Sequence, residues 1–381
     1  MTLVGVVPVK NGKNVTIRNY NRPKNLINMN KLTSTQIKLI KHALKKINSA
    51  SNILITTHIS PDEDAIGSLL ATHAFLKQLN KKVQVYIEDP VPSRHSFLKS
   101  SVIKQSDLAQ AIESHQIDLI IFLDGNDMDR FSRQPEQLIN IITQNKVITI
   151  CLDHHHTGKP EQFQTYLNLG RSSTAETVYI LFVDQNKQKL NLSIAQSLMM
   201  AILGDTGRFL YQNPHYQDTF SIASSLIDHG ADIEKITSQI RKFHPDELKI
   251  ISWLIANLQI EDGYNYSYLT ETQLKEVIKQ NITPDHYTGA YHHFIDNYIR
   301  SLAPNQWGFV LVPDYNDPKF FKGSMRSIDG VIDTTVFAQK FNGGGHKQAS
   351  GFRLPAKNIK EALKTVLKVI KNNYPKALKT A

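Results

Sequence analysis

The stretch Ile53-Leu54-Ile55-Thr56-Thr57-His58-Ile59-Ser60-Pro61-Asp62-Glu63-Asp64-Ala65 decides the fold. Its first five residues are apolar or β-branched and read as a buried strand. A histidine, a proline turn and three acids follow at once, and Ala65 to Leu79 then carries a helical pattern. The alternation repeats downstream. Val83 to Ile87, Leu119 to Leu123 and Val147 to Leu152 read as strands, and Leu108 to Ser114 lies in a helix. Continuous Val/Ile/Leu runs separated by helices predict an α/β fold built on a parallel sheet covered on both faces. Right-handed crossovers then gather the strand C-terminal ends at one edge, where open α/β folds bind ligands. His58, Asp124 and Asp153 each stand just past such a strand end.

Upstream, Ile37, Ile40, Leu44 and Ile47 fall at helical spacing, with Ser34 or Thr35 as the expected cap. Residues 1–32 carry Lys10, Lys13, Arg18, Arg22, Lys24 and Lys31 and no acid. They read as a poorly ordered basic leader, in preference to an arm that touches nucleic acid. Downstream, Ser193 to Leu203, Thr219 to His229 and Pro245 to Leu258 read as helices, and the last forms a connection. Beyond Gly263, strand patterns return at Tyr264 to Leu269, Gly308 to Val312 and Phe320 to Met325. The expected organisation is a leader (1–32), a parallel-sheet catalytic domain (33–240), a helical linker (241–261) and a smaller α/β domain (262–381).

Composition narrows the function classes. Hydrophobic residues at 41% and charged residues at 20% of 381 leave ample material for a core. No apolar stretch approaches the ~20 residues that span a bilayer. The run Leu3 to Val9 lacks a preceding basic residue and is closed by Lys10, unlike a signal peptide. A single cysteine, Cys151, excludes an internal disulfide framework and fits a reducing compartment, so the expected location is cytoplasmic. The net charge of +10 favours polyanionic partners and gains weight only beside phosphate chemistry.

That chemistry is suggested by four segments: His58 to Asp64, Asp124, Asp153-His154-His155-His156, and Gly204-Asp205-Thr206-Gly207-Arg208. Two divalent ions ~3.5–4 Å apart hold both the attacking and leaving oxygens of a phosphoryl displacement, and need carboxylates and imidazoles around them. A mixed oxygen and imidazole set suits Mn2+, and Mg2+ less well. Asp62 and Asp64 point the same way in an extended loop, so each serves one ion, and the helix that follows favours phosphate at its N-terminus. The competing reading makes them N-cap and first-turn acids only. Asp127 and Asp129 are alternatives to Asp124 on composition, but Asp124 ends its strand directly and the other two suit a cap before Arg130.

Far downstream stands Asn342-Gly343-Gly344-Gly345-His346-Lys347-Gln348-Ala349-Ser350-Gly351. Three glycines allow positive φ, so that successive N–H groups converge on an anion, with His346 and Lys347 adding charge or donors and Ser350-Gly351 continuing the tight path. A glycine run alone is more often a flexible loop.

Taken in this order, the segments resemble the DHH phosphoesterase superfamily, named for the pattern seen here as Asp153-His154-His155. The Gly343-Gly344-Gly345-His346 segment resembles its C-terminal DHHA1 substrate-binding domain. Within the superfamily the similarity is to the nano-RNase/pAp-phosphatase group, which degrades very short oligoribonucleotides and dephosphorylates 3′-phosphoadenosine 5′-phosphate (pAp). The resemblance implies a parallel-sheet DHH domain followed by a smaller α/β DHHA1 domain across a cleft. It implies that His58 and Asp62 bind one ion, that Asp64, His154 and Asp205 bind the other, and that Asp124 bridges both. Asp153 is then expected to orient the imidazole of His154, and His155 to face the scissile phosphate. His156 has no assigned part. Arg326 falls where relatives contact substrate, and Arg208 either supports Asp205 or contacts phosphate. Glu63 departs from the glycine common between the two aspartates, and is expected to face solvent.

The expected partners are short RNA or small nucleotides (pAp, pApA, cyclic di-AMP), with no membrane and with a homodimer as the candidate assembly. The expected cofactors are two divalent ions, Mn2+ ahead of Mg2+. The runner-up is a cyclic di-AMP/pApA phosphodiesterase of nucleotide signalling. A non-enzymatic RNA-binding protein is disfavoured because all six expected metal ligands are present.

Overall fold

Strands that are apolar on both faces need helices on both sides, and the first half of the chain supplies them. The computed structural model describes residues 32–95, 97–98, 101–155, 158–211, 214–328 and 330–379. The basic leader up to residue 31, and His156, lie outside them. Six strands form the first sheet: β1 (Asn52–Thr57), β2 (Lys82–Ile87), β3 (Lys104–Gln105), β4 (Leu119–Leu123), β5 (Ile148–Asp153) and β6 (Thr165–Asn168). Their order is β3-β2-β1-β4-β5-β6, and every pairing is parallel. The expected parallel sheet is therefore present. The short β3 and β6 add to the strands legible in the sequence and occupy its edges.

The helices in chain order are α1 (Ser34–Ser49), α2 (Glu63–Gln78), α3 (Leu108–His115), α4 (Met128–Phe131), α5 (Pro135–Gln144), α6 (Thr174–Tyr179) and α7 (Leu192–Asp205). Then follow α8 (Tyr216–Asp228), α9 (Ile233–Ile240), α10 (Pro245–Ala256), α11 (Glu271–Lys279), α12 (Pro284–Phe294), α13 (Thr335–Ala338) and α14 (Ile359–Lys379). Thr33, rather than Ser34 or Thr35, caps α1: its hydroxyl accepts the Gln36 amide at 3.1 Å and the Gln36 side chain accepts the Thr33 amide at 2.9 Å. The capping box needs its glutamine three residues on, which fixes the start one residue early. One face of the sheet buries Ile53, Ile55, Ile121 and Leu123 with α2, α6 and α7 in a single apolar cluster. The other buries Leu54, Ile120 and Phe122 against α3 and α5.

Two glycines position the later part of that core. A β-carbon on Gly67 of α2 would stand 2.4 Å from the Ser197 carbonyl and 2.8 Å from Ala201 Cβ, both on α7. One on Gly204 would stand 2.5 Å from Glu63 Cβ. The two helices therefore lie backbone to backbone, which carries the end of α7 to the start of α2.

The second sheet follows the order β11-β12-β10-β9-β8-β7. Its strands are β7 (Gln259–Glu261), β8 (Tyr264–Tyr268), β9 (Trp307–Pro313), β10 (Phe320–Ser327), β11 (Gly344–His346) and β12 (Ala349–Pro355). Only β8 and β9 pair in parallel, so this sheet is mixed. Its faces close on α13 and α14 on one side and on α10, α11 and α12 on the other. Among the described residues no helix is long and apolar enough to cross a membrane.

The Gly67 contact gives a first prediction. Gly67→Val would push α7 away from α2 and cost about 2–3 kcal/mol by overpacking. Urea unfolding reads the loss, and an unchanged midpoint would contradict the close approach.

Candidate metal centre

Past β1, the chain turns at Ser60 (φ 56°) and enters α2 through Asp62. Asp62 is the N-cap, accepting the Asp64 and Ala65 amides at 3.1 Å each. The capping role is thus real, and it leaves the carboxylate beside His58, whose Nε2 lies 3.8 Å away. His58 donates from Nδ1 to the Ile59 carbonyl at 2.8 Å, an arrangement that turns Nε2 inward. That Nε2 is buried without a hydrogen-bond partner, 3.4 Å from Asp124 Oδ2. Burial alone would lower the imidazole pKa. The Asp124 and Asp62 carboxylates outweigh it and push the pKa up to about 10.

Asp124, just past β4, sits in the left-handed region at φ 65°. Non-glycine residues in that region are uncommon, and such strain recurs at functional sites. Its amide donates to the Leu152 carbonyl at 3.0 Å, tying it to β5. Its two oxygens face different neighbours: Oδ2 faces His58, while Oδ1 lies 3.5 Å from His154 Nε2 and accepts the Thr174 hydroxyl at 3.1 Å.

On the second side, His154 Nε2 is 2.9 Å from Asp205 Oδ2 and 3.9 Å from Asp64 Oδ2. Asp205 arrives because α7 ends against α2, and the chain leaves it through left-handed Gly207, Arg208 and Phe209. Asp64 is fully buried. It accepts the Thr174 and Ala175 amides at 2.6 and 3.0 Å and the Ser68 hydroxyl at 3.1 Å. Burial first, then the Asp124 and Asp205 charges, hold its carboxyl well above the usual range. Two groups with ligand spacing emerge, His58–Asp62–Asp124 and Asp64–His154–Asp205, and Asp124 also groups with His154 and His155. A buried His58 nitrogen without a hydrogen-bond partner, among converging carboxylates, fits divalent cations.

Three expectations change here. Asp153 holds His155, not the expected His154: its Oδ1 accepts from His155 Nδ1 at 2.7 Å, and its Oδ2 accepts the Tyr166 hydroxyl at 3.0 Å. Glu63 does not face solvent. Its Oε1 meets Arg94 Nε at 3.1 Å and His95 Nε2 at 3.0 Å, because Gly204 admits α7 against its stem and turns the carboxylate inward. The glycine run is a hairpin edge and not a continuous nest. Gly344–His346 pairs with β12, Gly343 donates to the Ala338 carbonyl at 2.9 Å, and Gly345 alone of the three has positive φ, 136°. A β-carbon on Gly343 would stand 2.2 Å from the Gly351 carbonyl, whereas Gly344 has nothing within 4 Å. Ser350 is buried beneath this hairpin, its Oγ without a hydrogen-bond partner.

Asp127 caps α4 by accepting the Asp129 amide at 3.2 Å, and both acids pair with Lys159. Arg326 Nε donates to Asp296 Oδ1 at 2.7 Å and its Nη1 to the Met325 carbonyl at 3.0 Å, so part of its fork is already engaged. Arg208 lies partly buried near His293, whose pKa is lowered first by burial and also by the Arg208 charge. The two halves meet electrostatically at His292 of α12. Burial first, then Arg326, pushes its pKa down to about 4, and Arg94 and Glu63 from the first half also act on it.

Thr174, Ser68 and Tyr166 escape the sequence reading. Ser173 and Glu176 carry the one usable signal, the Ser-x-x-Glu spacing of a helix start, and Ser173 does accept the Glu176 amide at 3.4 Å.

The chain matches the DHH family, N-terminal domain, over residues 52–202 and the DHHA1 domain over residues 290–372. It is 24% identical over 343 residues to the bifunctional oligoribonuclease and PAP phosphatase NrnA of Thermus thermophilus, covering 90% of this chain and 95% of that protein. It is 25% identical over 350 residues to the cyclic-di-AMP phosphodiesterase GdpP of Bacillus subtilis, covering 88% of this chain and 50% of that one. Its fold is similar to the crystal structure of an exopolyphosphatase-related protein from Bacteroides fragilis. The TM-score there is 0.75 at 24% identity, over 89% of this chain and 97% of the other. With one domain matched in each half and in this order, the chain belongs to the DHH/DHHA1 phosphoesterase superfamily.

Proposed function

We propose that this chain is a divalent-metal-dependent phosphoesterase that hydrolyses short oligoribonucleotides to nucleoside monophosphates and dephosphorylates pAp. The observation that carries the reading is Asp124, whose two carboxylate oxygens face two separate sets of candidate ligands. The similarity to the Thermus thermophilus oligoribonuclease along most of both chains supports the substrate class.

In this reading His58 and Asp62 would hold one ion and Asp64, His154 and Asp205 the other, with Asp124 a ligand available to both. Mn2+ suits the mixed donors best. Two such ions supply Lewis acidity at the scissile phosphate and lower the pKa of water. The chain's own groups position and neutralise. Asp153 accepts the Nδ1 proton of His155 in a hydrogen bond, which fixes the ring and leaves Nε2 as the atom that donates toward the leaving oxygen. Arg326, Ser350, His346 and the open edge at Gly344 hold the far end of the substrate, with Gly343 and Gly345 shaping the hairpin. Arg208 lines the approach. Residues 33–240 carry the chemistry, 241–261 connect, and 262–381 measure substrate length. The assembly proposed is a cytoplasmic homodimer, whose mass light scattering would read.

A second reading, a cyclic di-AMP/pApA phosphodiesterase, draws on the similarity to GdpP, a protein twice the matched length. A chromatographic assay with Mn2+ separates the two, comparing a dinucleotide, a five-nucleotide RNA, pAp, pApA and cyclic di-AMP. Fast monophosphate release from short RNA together with pAp cleavage is the expected outcome. Preference for cyclic di-AMP or pApA would move the protein to nucleotide signalling.

Two variants test the residues. Asp124→Ala should lower turnover by more than ~10²–10³-fold and reduce bound metal. Robust activity in it would refute the bridging assignment. Asp153→Asn should lower kcat about 10–100-fold and shift the pH profile while keeping metal content. Loss of metal instead would return Asp153 to His154.

A further inference from the structure

A second cluster of ligand-type side chains lies away from the Asp124 centre, where α10 meets α12. His244, Asp246 and His286 bring one ligand atom each within 4.8 Å of the others. His244 Nδ1 is 3.1 Å from Asp246 Oδ2, and His286 Nδ1 is 3.5 Å from the same oxygen. A tetrahedral zinc ion, with nitrogen at ~2.0–2.1 Å and oxygen at ~2.0–2.2 Å, places neighbouring donor atoms roughly 3.3–3.5 Å apart. The observed spacings bracket that value.

The hydrogen bonds around the cluster bear on the same point. His244 is the N-cap of α10, and its Nδ1 accepts the Asp246 amide at 3.3 Å. That nitrogen has a single in-plane lone pair, so ligation through it would replace its hydrogen bond with the Asp246 amide. His286 Nδ1 is buried and has no hydrogen-bond partner, an arrangement that natural structures seldom leave without a ligand or water. Two ring nitrogens and a carboxylate oxygen therefore converge at ligand spacing, the His286 nitrogen being buried without a hydrogen-bond partner. The two rings stack 4.1 Å apart at 8°. Coordination in the ring planes needs each to swing toward Asp246, and the 49% and 21% exposure of the His244 and His286 side chains leaves room to do so.

We propose that His244, Asp246 and His286 form a separate site for a divalent transition ion of the zinc class. Two imidazoles and one carboxylate favour Zn2+, Co2+ or Ni2+ over Mg2+, in contrast to the oxygen-rich centre at Asp124. Bound there, the ion pins the start of α10 to the first turn of α12. These helices already approach closely: a β-carbon on Gly289 of α12 would stand 3.2 Å from the Glu247 carboxylate of α10. The ion would thus fasten the connecting helix to the helix that carries His292.

The test uses the full chain, stripped with a chelator and titrated with Zn2+ against a chromophoric competitor, and with Co2+ by visible absorption. The comparison is with His244→Asn, which keeps a good N-cap, with His286→Gln, and with Asp124→Asn. Wild type should take up one more equivalent of Zn2+ than either histidine variant. The Asp124→Asn protein should retain that equivalent. Zinc should raise the Tm of wild type more than that of His286→Gln. Equal zinc stoichiometry in wild type and both histidine variants, with unchanged circular dichroism, would overturn the site. Loss of the extra equivalent in Asp124→Asn would assign it to the central cluster and overturn the proposal equally.

Discussion

Four carboxylates, those of Asp62, Asp64, Asp124 and Asp205, are crowded into one corner, and their mutual repulsion is the constraint that the rest of the first half answers. Asp64 and Asp124 are essentially excluded from water, where like charges repel far more strongly than at the surface. Each structural feature nearby offsets part of that cost. The start of α6 donates two amides to Asp64, and the start of α2 donates two to Asp62. The positive ends of two helices thus converge on one anionic cluster. His58 and His154 stand on opposite sides of Asp124, and the raised pKa of His58 marks where the carboxylates favour positive charge. A divalent cation held by these donors would remove much of the remaining repulsion, and the donor set fits one.

This view also explains why the scaffold is a parallel sheet with tightly apposed helices. A parallel order brings the ends of β1, β4 and β5 to one edge, so His58, Asp124 and Asp153 arrive together from distant parts of the chain. The glycine contacts of α2 and α7 add Asp205 from a helix end. Among the described residues the second half contributes no ligand to the cluster. His292 of the second half is kept neutral first by burial, with the Arg326 and Arg94 charges acting in the same direction, and Arg300 lies over the ring of Tyr211 at 4.4 Å. Glu63 holds Arg94 and His95 in place, so a residue between two candidate ligands also anchors the segment that follows β2.

The sheet and the candidate ligands are legible in the sequence because both depend on local pattern. Apolar β-branched runs mark β1, β2, β4 and β5, and the polar residues that end them are conspicuous at buried strand ends. β3 and β6 are not legible: two and four residues at a sheet edge are held by their neighbours' free hydrogen-bonding groups and leave little pattern of their own. Partners chosen by tertiary geometry are also hidden. Nothing in the spacing of Glu63 reveals that Arg94 and His95 wait beside it. The glycine run reads as a loop-like cradle, but Gly351 and Phe352 lie so close to Gly343 that the absent side chain serves strand pairing instead. Thr174 stays hidden because its hydroxyl and its amide serve two different aspartates, a role visible only once α6 is aimed at them.

The exchange of partners at Asp153 follows from the same geometry. Past the end of β5, consecutive side chains diverge, and the rings of His154 and His155 sit 4.5 Å apart at 58°. His154 is oriented by the carboxylates it would share an ion with, since Asp205 lies 2.9 Å and Asp124 3.5 Å from its Nε2. It needs no further aspartate for that. His155 reaches Asp124 only at 3.7 Å and belongs to neither of the groups built around Asp62 and Asp64. The ring of His155 is fixed instead by Asp153, the buried carboxylate in reach of its Nδ1. Tyr166, donating to the other Asp153 oxygen, keeps that carboxylate satisfied and still. Two adjacent histidines are thereby set in place by different acids, His154 by Asp205 and Asp124 and His155 by Asp153.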